Sequence, residues 1–134
     1  MKTIYCFEGS IKSNLNEVKP LVEETIFDLK NFIKCESSLF DIRLILDELM
    51  INSILHGNKN NFLKNVHLSV FLKDNEVEIR VKDEGKGVFF DFSSYNSADL
   101  KCTGRGLVLV KELTDRFILH GNEVIAIKYL DKNK

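Results

Sequence analysis

The segment Asp41-Ile-Arg-Leu-Ile-Leu-Asp-Glu-Leu-Met-Ile-Asn-Ser-Ile-Leu-His56 is apolar almost all round except for one polar line. Within it Glu48, Asn52 and His56 are spaced four residues apart, which places them on one face of a helix. An apolar helix of this kind predicts burial against a sheet, and a polar line on a buried helix must face something polar. That partner is either solvent at an edge or a ligand that an acid, an amide and an imidazole reach together.

Three helices are predicted around and including this segment. Apolar residues at helical spacing predict a first helix over about residues 16–34, with the only proline, Pro20, in its first turn. Ser38 is the predicted N-cap of the second helix, which we expect to end at Gly57 as its C′ residue. The third helix is predicted over Gly106 to Asp115.

Five short β-rich runs alternate with these helices. The predicted strands are Thr3–Phe7, Val66–Leu72, Val77–Val81, Phe117–Leu119 and Val124–Tyr129. Asp74-Asn75 and Gly121-Asn122 predict tight turns, so two hairpins make the sheet largely antiparallel. No repeat or linker divides residues 1–134, and we predict one α+β domain, a two-layer sandwich with the helices on one face.

A second polar segment, Val81-Lys-Asp-Glu-Gly-Lys-Gly87, leaves the end of a predicted strand. Gly85 and Gly87 allow a positive φ and a close approach of another group to the backbone. Asp83 lies where the strand stops, so its carboxylate can accept a hydrogen bond from a ligand. The alternative is an ordinary strand-ending turn.

A third segment, Thr103-Gly-Arg-Gly-Leu107, comes directly before the predicted third helix. Gly104 and Gly106 would open the backbone N–H groups of the helix N-terminus to an anion, with Arg105 beside them. The alternative is a flexible loop that leads into a helix. No Gly-Lys-Ser/Thr follows, which excludes a Walker A loop, and no parallel βαβ unit surrounds it, which excludes a dinucleotide-binding fingerprint.

Composition narrows the classes of function. Lys plus Arg is 19 and Asp plus Glu is 20, with no block of like charges, so nucleic acid is not favoured as a partner. No apolar run approaches the roughly 18 residues that span a bilayer, and Glu8 comes too early for a signal peptide, so we expect a cytoplasmic protein without a membrane partner. The odd set Cys6, Cys35 and Cys102 indicates reduced thiols and not a disulfide framework or zinc site.

Together the three segments resemble the nucleotide-binding boxes of the GHKL superfamily, which includes gyrase and the histidine kinases. The boxes are Glu-x-x-x-Asn on a helix, Asp-x-Gly-x-Gly after a strand and Gly-x-Gly before a helix. The resemblance covers nearly the whole chain. It implies the Bergerat fold, a mixed, mostly antiparallel sheet with helices on one face and ATP held between the helices and a mobile lid.

The resemblance also assigns roles. It implies that Asn52 coordinates the Mg²⁺ that bridges the phosphates, and that Glu48 is the general base or orients the nucleophile. Asp83 would recognise the adenine amino group. The other residues implied are Gly85 and Gly87 against the base and ribose, Gly104 and Gly106 at the phosphates, and His56 and Arg105 nearby.

Within the superfamily the chain is most similar to the serine-kinase anti-sigma factors. No histidine precedes the second helix, whereas histidine kinases carry a phospho-accepting histidine there. The stretches Asp47–Gly57 and Gly104–Leu113 are similar to those of the anti-sigma kinases, although Leu49-Met50-Ile51 is bulkier. The polar stretch 88–103 would be a short lid.

This likeness implies phosphoryl transfer from MgATP to a serine or threonine of a STAS-fold anti-sigma antagonist. It also implies a sigma factor as second partner and allows a homodimer. Two alternatives stay open, an ATP-gated binding module that transfers no phosphate and a plain ATPase.

Overall fold

The computed structural model describes residues 2–85 and 102–130, with the backbone alone for 102–105. A 3₁₀ turn, Leu15–Glu17, precedes the first helix, and a π-helical turn, Ser53–Gly57, continues the second. The elements in chain order are β1 (Thr3–Lys12), α1 (Val18–Leu29), α2 (Glu36–Asn52), β2 (Asn65–Lys73), β3 (Glu76–Lys82), α3 (Cys102–Leu113), β4 (Arg116–His120) and β5 (Glu123–Tyr129).

The strands form one sheet in the order β1-β2-β3-β5-β4, and every described pair of neighbours is antiparallel. The hairpins turn at Asp74-Asn75 and Gly121-Asn122, as predicted. Gly121 has a φ of +62°, a conformation that other residues adopt only with strain. The predicted α+β architecture is confirmed.

The hydrophobic core lies between the helices and one face of the sheet. Alternate residues of the central strands point into it, as Val66, Leu68 and Val70 do on β2. Helix α2 is the central helix of its layer and contacts both α1 and α3, so Ile42 and Leu46 on it are fully buried. Burying one such side chain stabilises the fold by roughly 1.5–3 kcal/mol.

The ends of several elements differ from the prediction. β1 runs to Lys12 and not to Phe7, because its later residues pair with β2 along their whole length. α1 ends at Leu29, and Ile33 reaches the core from the turn that follows, so the apolar spacing continues beyond the helix. α2 begins at Glu36, so Ser38 lies inside the helix and is not its N-cap.

The helical segment ends at Gly57, as predicted, but Gly57 is the last residue of a π-helical turn and not a C′ residue. The α-helix stops at Asn52 and a π-helical turn follows, in which the Asn58 N–H donates to the carbonyl of Ser53 (2.8 Å). The left-handed residues come later, at Lys59 and Asn60. A π-turn inserted in a helix often marks a functional site.

α3 begins at Cys102, so the predicted loop before the helix is also wrong. Gly104 and Gly106 lie within the first two turns of α3 and not ahead of them. Residues 88–101 of the predicted polar stretch lie outside the part of the chain that the structure describes. Cys6 and Cys35 are free thiols. Among the described helices, none has the length and apolar character to cross a membrane.

Candidate functional site

The polar line of α2 begins as predicted. Glu48 is half-buried, and Asn52, the last residue of the α-helix, is only 8% exposed. His56 lies in the π-turn and is exposed. Glu48 and Asn52 therefore share one face of the α-helix, and His56 belongs to the π-turn that follows it.

Glu48 lies against the beginning of α3. A side chain on Gly106 would overlap the Glu48 carboxylate, so this glycine lets the carboxylate lie beside α3. The N-terminal turns of a helix carry a partial positive charge, which favours a carboxylate nearby. Gly106 thus serves close packing and not the opening of a loop. Gly104 shares its helical backbone, while the Arg105 side chain lies outside the described part of the chain.

Asp83 directly follows β3 and is only 4% exposed. Its Oδ1 accepts a hydrogen bond from the Gly85 N–H (2.7 Å), and its backbone is paired to Asn122. Burial raises the pKa of Asp83, while the Gly85 N–H and the charge of Lys64 oppose that rise. The structure therefore holds a buried carboxylate at the end of the strand, as predicted.

Two glycines make room for this carboxylate. A side chain on Gly57, in the π-turn, would overlap the Asp83 carboxylate. A side chain on Gly85 would overlap the carbonyl oxygen of Gly57. The π-turn and the segment after β3 therefore interlock through glycines. Gly87 lies outside the described residues.

Gly57 is a site residue that sequence reasoning missed. Its position at the end of the polar line was explained by helix capping, and a glycine after a helix is common for that reason. The structure shows a different need, the absence of a Cβ beside Asp83. The available signal was the position of this glycine at the end of a polar line, one residue after His56.

These contacts give the site an order along one helix. Glu48 lies at the end next to α3, Asn52 in the middle, and Gly57 at the end next to Asp83. Nine residues, about two helical turns, separate Glu48 from Gly57, so the two carboxylates lie at different levels along the helical segment. The two ends carry carboxylates in different surroundings.

The donor set fits MgATP. The amide oxygen of Asn52 is a hard ligand of the kind that Mg²⁺ accepts, and the start of α3 is a position that favours phosphate. The buried carboxylate of Asp83 is an acceptor for an exocyclic amino group. The residues present therefore agree in type with a base at one end and phosphates at the other.

A depression of about 600 Å³ lies on the opposite, helix-free face of the sheet. It contains none of the predicted site residues. One of its lining residues is Glu78, whose carboxylate accepts a hydrogen bond from Arg80 Nε (2.7 Å) and lies 3.5 Å from Lys73 Nζ. Burial raises the pKa of Glu78, but Arg80 and Lys73 outweigh that effect, and the pKa lies below its ordinary value.

The sequence is similar over most of its length to known proteins. The family model described as "Histidine kinase-like ATPase domain" matches residues 17–128. The chain is 38% identical over 110 residues to an "Anti-sigma F factor" of Bacillus licheniformis. It is 30% identical over 107 residues to an "Anti-sigma F factor" of Oceanobacillus iheyensis. Each of these two alignments covers 72% of this chain and 73% of the relative.

Proposed function

The chain belongs to the histidine kinase-like ATPase domain family, and we propose that it is an ATP-dependent serine/threonine protein kinase that acts as an anti-sigma factor. Its protein substrate would be a STAS-fold anti-sigma antagonist, and its second partner a sigma factor that it sequesters. The names of the relatives support the regulatory role. The observation that carries the proposal is the order of Glu48, Asn52 and Asp83 along one wall of the site.

The Asp83 end would bind the base. Its carboxylate is buried and held by the Gly85 N–H, so it does not need to be ordered when the ligand arrives. A fixed acceptor pairs with the amino group of adenine and not with the carbonyl that guanine presents at the same place. The expected preference is therefore for ATP over GTP.

The Asn52 position would hold the metal. Mg²⁺, when bound there with ATP, supplies neutralisation of the charge on the phosphates. Asn52 presents an amide at the end of α2, between the two carboxylates. Its role is to orient the phosphates relative to Glu48.

Glu48 would accept the proton of the attacking hydroxyl. The serine or threonine oxygen forms a bond to the γ-phosphorus, the bond from that phosphorus to the β–γ bridging oxygen breaks, and ADP leaves. The hydroxyl proton passes to the Glu48 carboxylate. Its place beside the first turns of α3 brings it to the end of the site where the helix N-terminus favours phosphate.

Glu48→Gln tests this assignment. The substitution keeps the size and removes the proton acceptor, so MgATP affinity should stay near that of the parent while phosphoryl transfer falls by about 10²–10⁴-fold. Transfer is measured with radiolabelled ATP and a STAS-fold protein from the same cell, followed by mass spectrometry of the modified residue. Transfer by Glu48→Gln at the parent rate would show that Glu48 is not the base.

Asp47→Asn is the matched control. Asp47 is the neighbouring carboxylate, but it interacts with Arg43 and with Lys19 on α1. The same loss of charge one residue away should therefore leave transfer unchanged. An equal loss in both variants would indicate a general effect of charge on α2.

The same assay separates the alternatives. If the parent binds MgATP and the STAS protein but transfers nothing, the gated binding module replaces the kinase. If it releases phosphate to water at the same rate with and without the partner, it is a plain ATPase. Binding of a sigma factor, measured with and without MgATP, tests the anti-sigma role separately.

A further inference from the structure

We propose that Asn58 and Asn122 are positioning residues that clamp the peptide bond between Asp83 and Glu84, and that this clamp sets the preference of the site for adenine. The inference rests on the proposed ATP site. Neither asparagine belongs to the three sequence segments described above. Both act on the Asp83 carboxylate through the backbone and not by touching the nucleotide.

Asn58 is fully buried and its side-chain amide is used in three hydrogen bonds. Its Nδ2 donates to Ser13 Oγ (2.7 Å) and to the carbonyl of Asn65 (2.9 Å). Its Oδ1 accepts from the backbone N–H of Glu84 (2.7 Å). A buried amide is costly unless it is paired, so each of these three bonds contributes to stability.

Asn122 reaches the same peptide from the other side. It lies in the turn between β4 and β5, and its Nδ2 donates to the backbone carbonyl of Asp83 (2.6 Å). Its own carbonyl accepts from the Asp83 N–H (3.0 Å). The turn is thus attached to Asp83 both through its backbone and through one side chain.

The carbonyl of Asp83 and the N–H of Glu84 belong to one peptide unit. Because a peptide unit is planar, holding its oxygen and its nitrogen at once fixes the orientation of the whole plane. The plane is held by Asn122 on the oxygen and by Asn58 on the nitrogen. Its orientation fixes the backbone on both sides, and with it the direction in which the Asp83 side chain leaves the chain.

The clamp also joins the end of the π-turn to the segment that follows β3. Asn58 follows Gly57, whose lack of a side chain admits the Asp83 carboxylate. One short segment therefore leaves space for the carboxylate and holds the peptide that carries it. If the peptide were released, the carboxylate could rotate or accept water, and it would then discriminate less between the amino group of adenine and the carbonyl of guanine.

The test is the ratio of GTP to ATP dissociation constants, measured by calorimetry for the parent, Asn58→Ala and Asn122→Ala. We expect the ratio to fall roughly tenfold in each variant, the effect of about one hydrogen bond. In the double variant the ratio should fall by less than the product of the two single-variant factors, because the first substitution already releases the shared peptide. Exchange of the Glu84 amide hydrogen should also become faster in Asn58→Ala.

Ser13→Ala is the matched control. It removes one partner of the Asn58 amide but leaves the bond from Glu84 in place. A purely structural role of the cluster would make this variant lose selectivity with the others, whereas the clamp predicts a parent ratio. If Asn58→Ala does not fold, the ratio for Asn122→Ala, whose side chain is only partly buried, decides alone.

The outcomes are distinguishable. A parent that binds no nucleotide overturns the proposed function and this inference with it. If the parent prefers ATP and the folded variants keep the same preference, only the clamp is overturned. A parent that binds ATP and GTP equally, additive losses in the double variant, or an equal loss in Ser13→Ala would also overturn it.

Discussion

Gly57→Ala should weaken ATP binding more than it destabilises the protein. The added methyl group would overlap the Asp83 carboxylate, so the carboxylate has to leave its place and give up the Gly85 N–H. The bond that the displaced carboxylate would have made with adenine is a hydrogen bond to a charged group, worth about 1.5–3 kcal/mol, so the affinity for ATP should fall roughly 10–150-fold.

The effect of Gly57→Ala on stability is expected to be smaller. Forcing an extra methyl group into a packed site costs about 1–3 kcal/mol. Because Gly57 has helical backbone in the π-turn, alanine offsets up to about 1 kcal/mol of that cost through its higher helix propensity. The net loss in the free energy of unfolding is therefore about 0–2 kcal/mol, which leaves a folded protein to titrate.

The assay pairs calorimetric titration of ATP with urea unfolding of the same samples. Gly9→Ala is the control, because a side chain there would meet only the ring of Phe7, at 3.0 Å, and the ring can shift. Its ATP affinity should stay within about twofold of the parent. A folded Gly57→Ala with the parent affinity would refute the assignment of Asp83 as the acceptor for the base.

Two further predictions concern the metal and the opposite face of the sheet. Asn52→Ala should remove the magnesium dependence of ATP binding. The helix should stay intact, because alanine is the better helix former. A titration of the variant that still depends on magnesium would place the metal elsewhere. Because the pKa of Glu78 is lowered in the folded protein, its ion pairs with Arg80 and Lys73 contribute stability above its ordinary pKa of 4.5 and lose it as the pH falls through the folded pKa. Glu78→Gln should therefore be less stable than the parent by about 1 kcal/mol near pH 7, and this difference should shrink as the pH falls below 4.5, whereas a difference that stays constant would contradict the ion-pair explanation.

The sequence predicted the layers of the fold because its periodicities are local. Both hairpins were found from their turn residues and alternating strands. The full length of β1 was not, because Glu8, Gly9 and Ser10 have little preference for strands and are held by pairing with β2. That pairing joins residues about 60 positions apart, which local patterns do not report.

The site was predicted in part. Glu48, Asn52 and Asp83 could be singled out because acids and amides on apolar elements are conspicuous. Asn58 and Asn122 were not, because an asparagine beside a turn is ordinary and its partners are set by the tertiary fold. The π-turn was missed because it is the last turn of the helical segment, and too few residues follow it to show a change in the apolar spacing.

The glycines around the candidate site have a different use from the one that the sequence suggests. In the described residues Gly57, Gly85 and Gly106 admit atoms of the protein itself, which are two carboxylates and one carbonyl oxygen. The missing side chains let the Asp83 carboxylate approach the π-turn and let Glu48 approach α3. The spacing of these glycines therefore sets where the two carboxylates lie along one helix. A site that binds a base at one end and accepts a proton at the other needs its two carboxylates to be placed in this way. A substitution that only removed backbone freedom would alter loop motion, whereas a methyl group at Gly57 or Gly106 should displace one carboxylate and leave the other in place.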